Sequence, residues 1–247
     1  KEIYFYSYGH DVGTITNDGS MQIYGSDPAN SSKIVNNGTM SLSGNSATVY
    51  DIENNGTLEI TSGATYDLSK IISSGTVTIT GGTFTTKPSD TQLAQWYKAV
   101  EQSGEPVTYK VSSMTMAEKV EAGLVATSGR SSGNCYTSVA EGVNATDKAT
   151  TYLQTDSDED VVIRTPYEGG RSLYANKHNF TGSIVIQDKC DFLNLLGSSF
   201  DLKYAAGDRL RIGFYSTAAD VTIQDADLDL LEICLLYTSP SPRDISG

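Results

Sequence analysis

The chain has 247 residues, of which 30 are Asp or Glu and 17 are Lys or Arg, so its formal net charge at pH 7 is −13. Its basic residues are scattered, whereas a nucleic-acid partner requires a basic surface. No apolar run reaches the roughly 18 residues of a membrane-spanning helix. We therefore expect neither a nucleic-acid partner nor a membrane span.

A short phrase, apolar at its first, seventh and ninth positions, occurs four times near the start of the chain. Its glycines, Gly19, Gly38, Gly56 and Gly75, are 19, 18 and 19 residues apart. A fixed period near twenty residues is typical of solenoids, whose units bury their apolar faces by stacking on one another. The repeat therefore predicts a mainly β chain that folds as a parallel β-helix.

The repeat also predicts which residues stack. Each residue should lie above the one that follows it by 18 or 19 positions. The Asn-Gly pairs, Asn37–Gly38 and Asn55–Gly56, are expected to supply positive φ angles at the corners. The predicted apolar columns are Ile15–Ile34–Ile52–Ile71, Met21–Met40–Leu58–Val77 and Ile23–Leu42–Ile60–Ile79.

A row of antiparallel β-hairpins is the alternative. Asn-Gly between alternating apolar residues is a strong hairpin signal. The segments between the phrases, such as Ser43–Tyr50 and Thr61–Leu68, are themselves short β-branched and aromatic runs. Phrase and segment together provide the short strands of one β-helix coil, which favours the parallel arrangement.

The repeat ends near residue 86, so residues 1–86 are predicted to form the coils. Residues 87–133 are predicted to be a cap and linker. Within them, Ser89 or Asp90 is placed to begin a short helix over Gln92–Gln102. A strand is expected at Val107–Val111 and a flexible linker at Ser128–Asn134.

Residues 134–233 are predicted to begin a second, β-helix-like unit. A short helix over Ser138–Asn144 opens it. Five strand patterns then follow at Thr151–Leu153, Asp160–Ile163, Ser183–Ile186, Arg209–Ile212 and Asp220–Ile223.

The segment Cys234–Asp244 resembles the translation of a transposase adapter used in sequencing libraries. This resemblance implies that residues 234–247 are an artefact of the source DNA. It also implies that the native reading frame is truncated near residue 233.

A family resemblance covers residues 10–145. The phrase Ile52–Ile60, the Gly-Gly-Thr-Phe coil ending at Phe84, the break at Lys87–Asp90 and the segment Tyr136–Gly142 resemble the adhesin-like repeat surface proteins of gut Firmicutes. Those proteins resemble autotransporter passenger β-helices. The resemblance implies a scaffold at the bacterial cell surface, outside the cell, with glycans or matrix as possible partners. It carries no catalytic residue.

The individual chemistry candidates are weak. His10 and His178, the two histidines, are interpreted as turn residues, and Trp96 with Tyr97 as packing residues. Asp156–Asp160 is either a calcium site or, as we favour, a solvated loop, since it lacks the spacing of known calcium loops. Whether Cys135 and Cys190 form a disulfide stays open.

No catalytic, cofactor-binding or metal-binding residue is therefore assigned, and no enzymatic activity is expected. The carboxylates of the coils do not repeat in register, as paired catalytic carboxylates on one face would have to; they are Asp27, Asp51, Glu53, Glu59 and Asp67. The expected function is a non-catalytic extracellular scaffold. A β-helix polysaccharide lyase or glycosidase, and a purely structural spacer, are the alternatives.

Overall fold

A computed structural model describes residues 2–4, 13–25, 33–44, 51–62, 65–187, 190, 193–197, 199–214 and 220–235. The chain is mainly β, and its parallel strands stack into a β-solenoid of about 10 turns, so the predicted fold class is confirmed. Two compact units, Lys1–Thr115 and Met116–Gly247, are distinguished. Their boundary falls inside the segment 87–133.

Within its described residues, unit 1 contains a 3₁₀ turn, Leu68–Lys70, and thirteen strands. The strands are β1 (Glu2–Tyr4), β2 (Thr14–Asn17), β3 (Ser20–Gly25), β4 (Lys33–Asn36), β5 (Thr39–Gly44), β6 (Asp51–Asn54), β7 (Thr57–Ile60), β8 (Thr65–Tyr66), β9 (Ile71–Ser73), β10 (Thr76–Ile79), β11 (Thr83–Phe84), β12 (Tyr97–Gln102) and β13 (Thr108–Ser113).

Two parallel sheets form the coils of unit 1, with the strand orders β1-β3-β5-β7-β10 and β2-β4-β6-β9. Ile34 pairs with Ile15 and Ile52, and Ile52 pairs with Ile71. The other two predicted columns are also in register. The two halves of each phrase thus pair with the equivalent halves of the next coil and not with each other. The antiparallel hairpin alternative is wrong.

The apolar columns form the core of unit 1. Ile34, Met40, Leu58 and Ile60 have no exposed surface, and Ile52 is 2% exposed. Burying one such side chain contributes about 1.5–3 kcal/mol. Because each coil covers only its neighbours, this stabilisation accumulates coil by coil.

The corner glycines serve a different purpose from the one expected. None of Gly19, Gly38, Gly56 and Gly75 has a positive φ, so that expectation is wrong. Instead, a Cβ on Gly56 would overlap with the carbonyl oxygen of Gly38 in the preceding coil, and Gly38 stands in the same relation to Gly19. Close stacking of the backbone, rather than a left-handed conformation, therefore excludes a side chain at Gly38, Gly56 and Gly75.

The predicted helix over Gln92–Gln102 is wrong. Gln92 and Leu93 donate their amides to the carbonyl of Ser89, which makes a single turn. The chain then bridges to Ile79, which accepts from Ala94 and donates to Gln92. Backbone hydrogen bonds to the last coil therefore determine the conformation here, and the helix that the sequence pattern predicted does not form.

Trp96 and the strands after it complete the end of unit 1. Trp96 has a φ of 69°, which no helix interior permits. β12 and β13 follow as an antiparallel hairpin, and β13 pairs antiparallel with β11. The hairpin gives β11 a partner on the side away from β8, so this edge of the stack is covered. The predicted strand Val107–Val111 corresponds to β13.

In the part of unit 2 that the structure describes there are two short helices and eleven strands. They are α1 (Met116–Glu121), β14 (Ala126–Thr127), β15 (Cys135–Tyr136), α2 (Val139–Val143), β16 (Thr150–Leu153), β17 (Val161–Ile163), β18 (Arg171–Tyr174), β19 (Ser183–Ile186), β20 (Leu193–Leu196), β21 (Ser199–Leu202), β22 (Tyr204–Phe214), β23 (Asp220–Ile223) and β24 (Ala226–Leu235).

The helix predicted over Ser138–Asn144 is confirmed as α2. The hydroxyl of Ser138 accepts the amide of Glu141, which is the N-cap arrangement. Val139 and Val143 are buried in the core of unit 2, so α2 covers the first coil. The segment Ser128–Asn134 is the turn that joins β14 to β15.

The coils of unit 2 stack in parallel through β16-β18-β20-β22-β24 and through β17-β19-β22. One column of backbone register partners runs through Thr151, Leu173, Leu195, Ile212 and Ile233. Its members are 22, 22, 17 and 21 residues apart. Coils of unequal length explain why this half shows no fixed sequence period.

The adapter-like segment 234–247 lies mostly outside the described residues. Cys234 and Leu235 complete β24, where they pair in register with Gly213 and Phe214. Throughout the described ranges, no helix combines the length and apolar character that crossing a membrane demands.

Candidate functional site

The inner side of the repeated corner carries a buried column of amides. Asn17 donates to Oδ1 of Asn36 at 2.7 Å, and Asn36 donates to Oδ1 of Asn54 at 2.6 Å. Asn54 continues the column by donating to the hydroxyl of Ser73 at 2.9 Å. Each asparagine amide also donates to a carbonyl of the following coil, at Thr39, Thr57 or Thr76. This column holds the corners together and has no free polar group to offer a ligand.

The outer side of the same corner carries an exposed polar column. Asn37 donates to Asp18 at 2.8 Å, and Asn55 donates to Asn37 at 3.0 Å. The hydroxyl of Ser74 donates to Oδ1 of Asn55 at 3.0 Å. The outer column is the more accessible of the two, and each Asn in it is followed by a corner glycine.

The outward face of the sheet β3-β5-β7-β10 is small, polar and nearly neutral. Two rows of outward residues run along it in register, and only Glu59 among them is charged. Successive strands lie about 4.8 Å apart, so the hydroxyl groups repeat at that interval. The rows are Ser20–Thr39–Thr57–Thr76 and Gln22–Ser41–Glu59–Thr78.

The outward face of the sheet β2-β4-β6-β9 is charged in part. Nζ of Lys33 lies 2.7 Å from a carboxylate oxygen of Glu53, with both side chains about half exposed. The hydrogen bond from Lys33 and its positive charge lower the pKa of Glu53 below its ordinary value. On the last coil of this face, Ile72 is 74% exposed.

The coil carboxylates that the structure describes occupy separate positions in the coil register or contact neighbouring side chains. Asp51 has Lys33 as its register partner, and Glu59 lies between Ser41 and Thr78. Asp67 accepts the amide and the hydroxyl of Ser69, which lower its pKa. Asp27 lies outside the described residues.

The acidic segment Asp156–Asp160 holds the backbone of its neighbours. Asp156 accepts the amide of Asn179 at 2.9 Å, and Asp160 accepts the amide of Ser183 at 3.0 Å. The hydrogen bond from the Asn179 amide lowers the pKa of Asp156, and the hydroxyl and amide of Ser183 together lower the pKa of Asp160. Within the described ranges, no group of three or more His, Cys, Asp and Glu side chains is arranged to hold a metal ion.

Glu159, in the same segment, binds the N-terminus of α2. Its carboxylate accepts the amide of Val139 at 2.6 Å and that of Ala140 at 3.1 Å. These are two of the amides that a helix leaves without internal partners. The interpretation of Asp156–Asp160 as a solvated loop did not predict this role, because α2 and Glu159 come into contact only when the coils stack.

His178 and the aromatic pair occupy structural positions. His178 lies in the turn after β18, where Asn176 and Lys177 have positive φ angles, and its Nδ1 is 3.5 Å from Asp156. Tyr97 packs against the core of unit 1, as interpreted from sequence, and Trp96 is half-buried at the turn before β12. His10 lies outside the described residues.

Two tyrosines that the sequence did not single out stack on adjacent coils of unit 2. The rings of Tyr152 and Tyr174 are 4.4 Å apart between centroids and inclined by 12°. The loop beside them is tied down by Asn176, whose amide donates to the carbonyls of Leu153 and Arg130. A stacked aromatic pair contributes about 0.5–1.5 kcal/mol beyond its burial, so this pair helps to hold the adjacent coils together.

Arg171 is a second residue that sequence reasoning missed. It is 2% exposed, and it donates to the carbonyls of Thr165, Ala145 and Lys148. Burial lowers its pKa. Its guanidinium lies 5.2 Å from the ring centre of Tyr167. Arg171 thus joins the loops that precede β16 and β18.

Cys135 and Cys190 do not form a disulfide with each other. Cys135 is half-buried and Cys190 is buried. Nζ of Lys119 lies 3.7 Å from Sγ of Cys135, which links α1 to β15.

The comparisons with known proteins return no counterpart: no protein-family model, no curated protein and no solved structure matches this chain. The functional argument therefore rests on the chain's own geometry. That geometry offers regular outward faces and corners, with the carboxylates of Glu53, Asp67 and Glu159 committed to structural contacts.

Proposed function

We propose that the chain is a non-catalytic scaffold at the bacterial cell surface, outside the cell, whose outward coil faces contact glycans or matrix. The single observation that carries this proposal is the outward face of the sheet β3-β5-β7-β10. Its hydroxyl-bearing residues, such as Thr39, Thr57 and Thr76, repeat in register from coil to coil. A face of this kind offers the same contact many times.

Neutral glycans suit this face better than anionic ones. Threonine and serine hydroxyls both donate and accept hydrogen bonds, as sugar hydroxyls do. Glu59 and the net charge of −13 repel polyanions such as glycosaminoglycans. Because no ionic contact is involved, binding to a neutral glycan should change little with salt concentration.

Weak contacts repeated along a stack gain strength through multivalency. A single coil face that binds in the millimolar range becomes an avid surface when many copies act together. The scaffold role of the stack and the binding role of its face are therefore compatible.

Retention on immobilised neutral and anionic polysaccharides tests the proposal. The protein is applied first as a monomer and then displayed in many copies on a particle. We expect display to raise apparent affinity for a neutral glycan by about 100-fold, with no gain on the anionic one. The double variant Thr57→Ala/Thr76→Ala should lose this gain. The control Thr14→Ala/Thr16→Ala, on the other sheet, should keep it.

Failure of the displayed protein to bind any neutral glycan would contradict the binding role and favour the purely structural spacer. Equal losses in both double variants would show that the outward face of β3-β5-β7-β10 is not the surface involved.

A further inference from the structure

The outer corner column contains two chemically labile sequences, Asn37–Gly38 and Asn55–Gly56. An asparagine followed by glycine cyclises readily in a flexible chain, because glycine has no side chain to hinder attack by its nitrogen. Both asparagine side chains are exposed at the corner. Exposure alone would make them reactive.

The reaction has a defined course. The deprotonated backbone nitrogen of the glycine attacks Cγ of the asparagine, a C–N bond forms, and the side-chain amide leaves as ammonia. Water then opens the resulting cyclic imide at either carbonyl. The products are aspartate and isoaspartate, and no oxidant or reductant takes part.

The stacked corner withholds the attacking nitrogen. The amide of Gly38 donates to the carbonyl of Asn17 at 3.1 Å, and the amide of Gly56 donates to the carbonyl of Asn36 at 3.0 Å. Each of these bonds joins one coil to the preceding coil. A nitrogen that donates its proton to a carbonyl is not free to lose that proton and attack.

The asparagine side chains are held as well. The amide of Asn37 donates to Asp18, that of Asn55 donates to Asn37, and Ser74 donates to Oδ1 of Asn55. Cyclisation requires each side chain to rotate toward its own glycine nitrogen, which breaks these bonds. The close approach of Gly56 to the carbonyl oxygen of Gly38 leaves the backbone little room to adjust.

We propose that Asn37 and Asn55 are deamidation sites that the folded stack protects and that react when the coils separate. The product then opposes restacking. An aspartate at position 37 faces the carboxylate of Asp18, where the amide had been a donor. An isoaspartate adds a methylene to a backbone whose register matches its neighbours residue by residue. Deamidation at Asn37 and Asn55 is therefore an irreversible consequence of coil opening.

Peptide mapping by mass spectrometry tests the proposal on the full chain. The protein is incubated at mildly alkaline pH, where the imide forms, both in buffer and in concentrated urea. A synthetic peptide of residues 34–42 supplies the unprotected rate for Asn37. We expect the native chain to deamidate at Asn37 and Asn55 at least about tenfold more slowly than in urea. In urea the rate at Asn37 should match that of the peptide.

Two matched core variants connect the rate to coil opening. Ile52→Ala removes apolar contacts beside the corners and should raise the rate at both asparagines in native buffer. Ile184→Ala removes a comparable buried side chain in unit 2 and should leave both rates unchanged. Equal rates in buffer and urea would overturn the proposal. An unchanged rate in Ile52→Ala, together with faster backbone hydrogen exchange of Gly38 and Gly56, would also overturn it.

Discussion

Asn36 donates a hydrogen bond of 2.6 Å to Oδ1 of Asn54, which is 18 residues further along the chain and one coil away. Both side chains are buried, with no exposed surface. A buried amide without partners is strongly unfavourable, but here every amide finds its partner in the adjacent coil. The column therefore fixes the register of the coils, because a shift by one residue would leave each asparagine unpaired.

Replacing Asn36 with alanine should destabilise unit 1 by about 2–4 kcal/mol. The substitution takes away the donor that Asn36 supplies to Oδ1 of Asn54 and to the carbonyl of Thr57, at about 1–3 kcal/mol each. The amide of Asn17 loses one of its two acceptors and keeps the carbonyl of Thr39. The control Asn37→Ala, in the exposed outer column, should cost less than about 1 kcal/mol. Urea unfolding of both variants measures the difference. Equal destabilisation by the two would contradict the structural role of the inner column.

The corner glycines should differ in tolerance although their sequence context is the same. Gly56→Ala should destabilise unit 1 by about 1–3 kcal/mol or more, because the new Cβ overlaps with the Gly38 carbonyl oxygen. Gly19→Ala should have a small effect, since an added Cβ there meets no described atom within 4 Å. Thermal unfolding of the two variants compares them. A requirement for positive φ at these corners would instead make both substitutions equally harmful.

Ile52 and Ile72 give a second matched pair, one inside the stack and one outside. Ile52→Asp removes apolar burial of about 1.5–3 kcal/mol and adds the larger penalty of an unpaired buried charge. Ile72→Asp should be nearly neutral because that side chain is 74% exposed. Hydrogen exchange at the amides of β4 and β9 should accelerate in the first variant alone. Protection that persists in Ile52→Asp would show that the apolar column does not hold adjacent coils together.

Tyr66 should make unit 1 sensitive to alkali. Its hydroxyl donates to the carbonyl of Ser62 at 2.9 Å, and burial raises the pKa of Tyr66 from 10.0 to about 12. The folded state therefore holds this proton more tightly than the unfolded state. The corresponding stabilisation is complete below pH 10 and is lost as pH rises toward 12, by roughly 2–3 kcal/mol in total.

The variant Tyr66→Phe has no such proton, so its stability relative to the parent should improve as pH rises from 10 to 12. Unfolding curves of both proteins at several pH values between 8 and 12 provide the measurement. A constant difference across this range would mean that Tyr66 ionises as easily in the folded as in the unfolded chain.

The sequence was most informative where one coil length repeats. The columns through Ile52, Leu58 and Ile60 followed from the 18 and 19-residue spacing, because a parallel stack places equivalent residues above one another. The α2 helix followed from a local signal, the capping serine at position 138. Local and strictly periodic features were thus accessible from sequence.

Features that depend on contacts between unlike coils could not be predicted from the sequence. The helical pattern over Gln92–Gln102 was overridden by backbone bonds to Ile79 and by pairing with β13. The Tyr152–Tyr174 stack escaped notice because the column spacing in unit 2 changes between coils. The contact of Glu159 with α2 spans 20 residues and has no sequence signature. The reason for glycine at the corners, which is the lack of room for a side chain beside the preceding coil, is visible only in the folded stack.

The most direct test of the proposed scaffold role is a turnover assay on pectin, alginate, glycosaminoglycan and xylan substrates, with both new reducing ends and unsaturated uronates as readouts. We expect no cleavage by the purified chain, because Glu53, Asp67 and Glu159 hold neighbouring backbone and side-chain groups rather than a substrate. Cleavage of any of these polysaccharides that is abolished by a single Asp or Glu substitution would contradict the account and establish the chain as a β-helix carbohydrate enzyme.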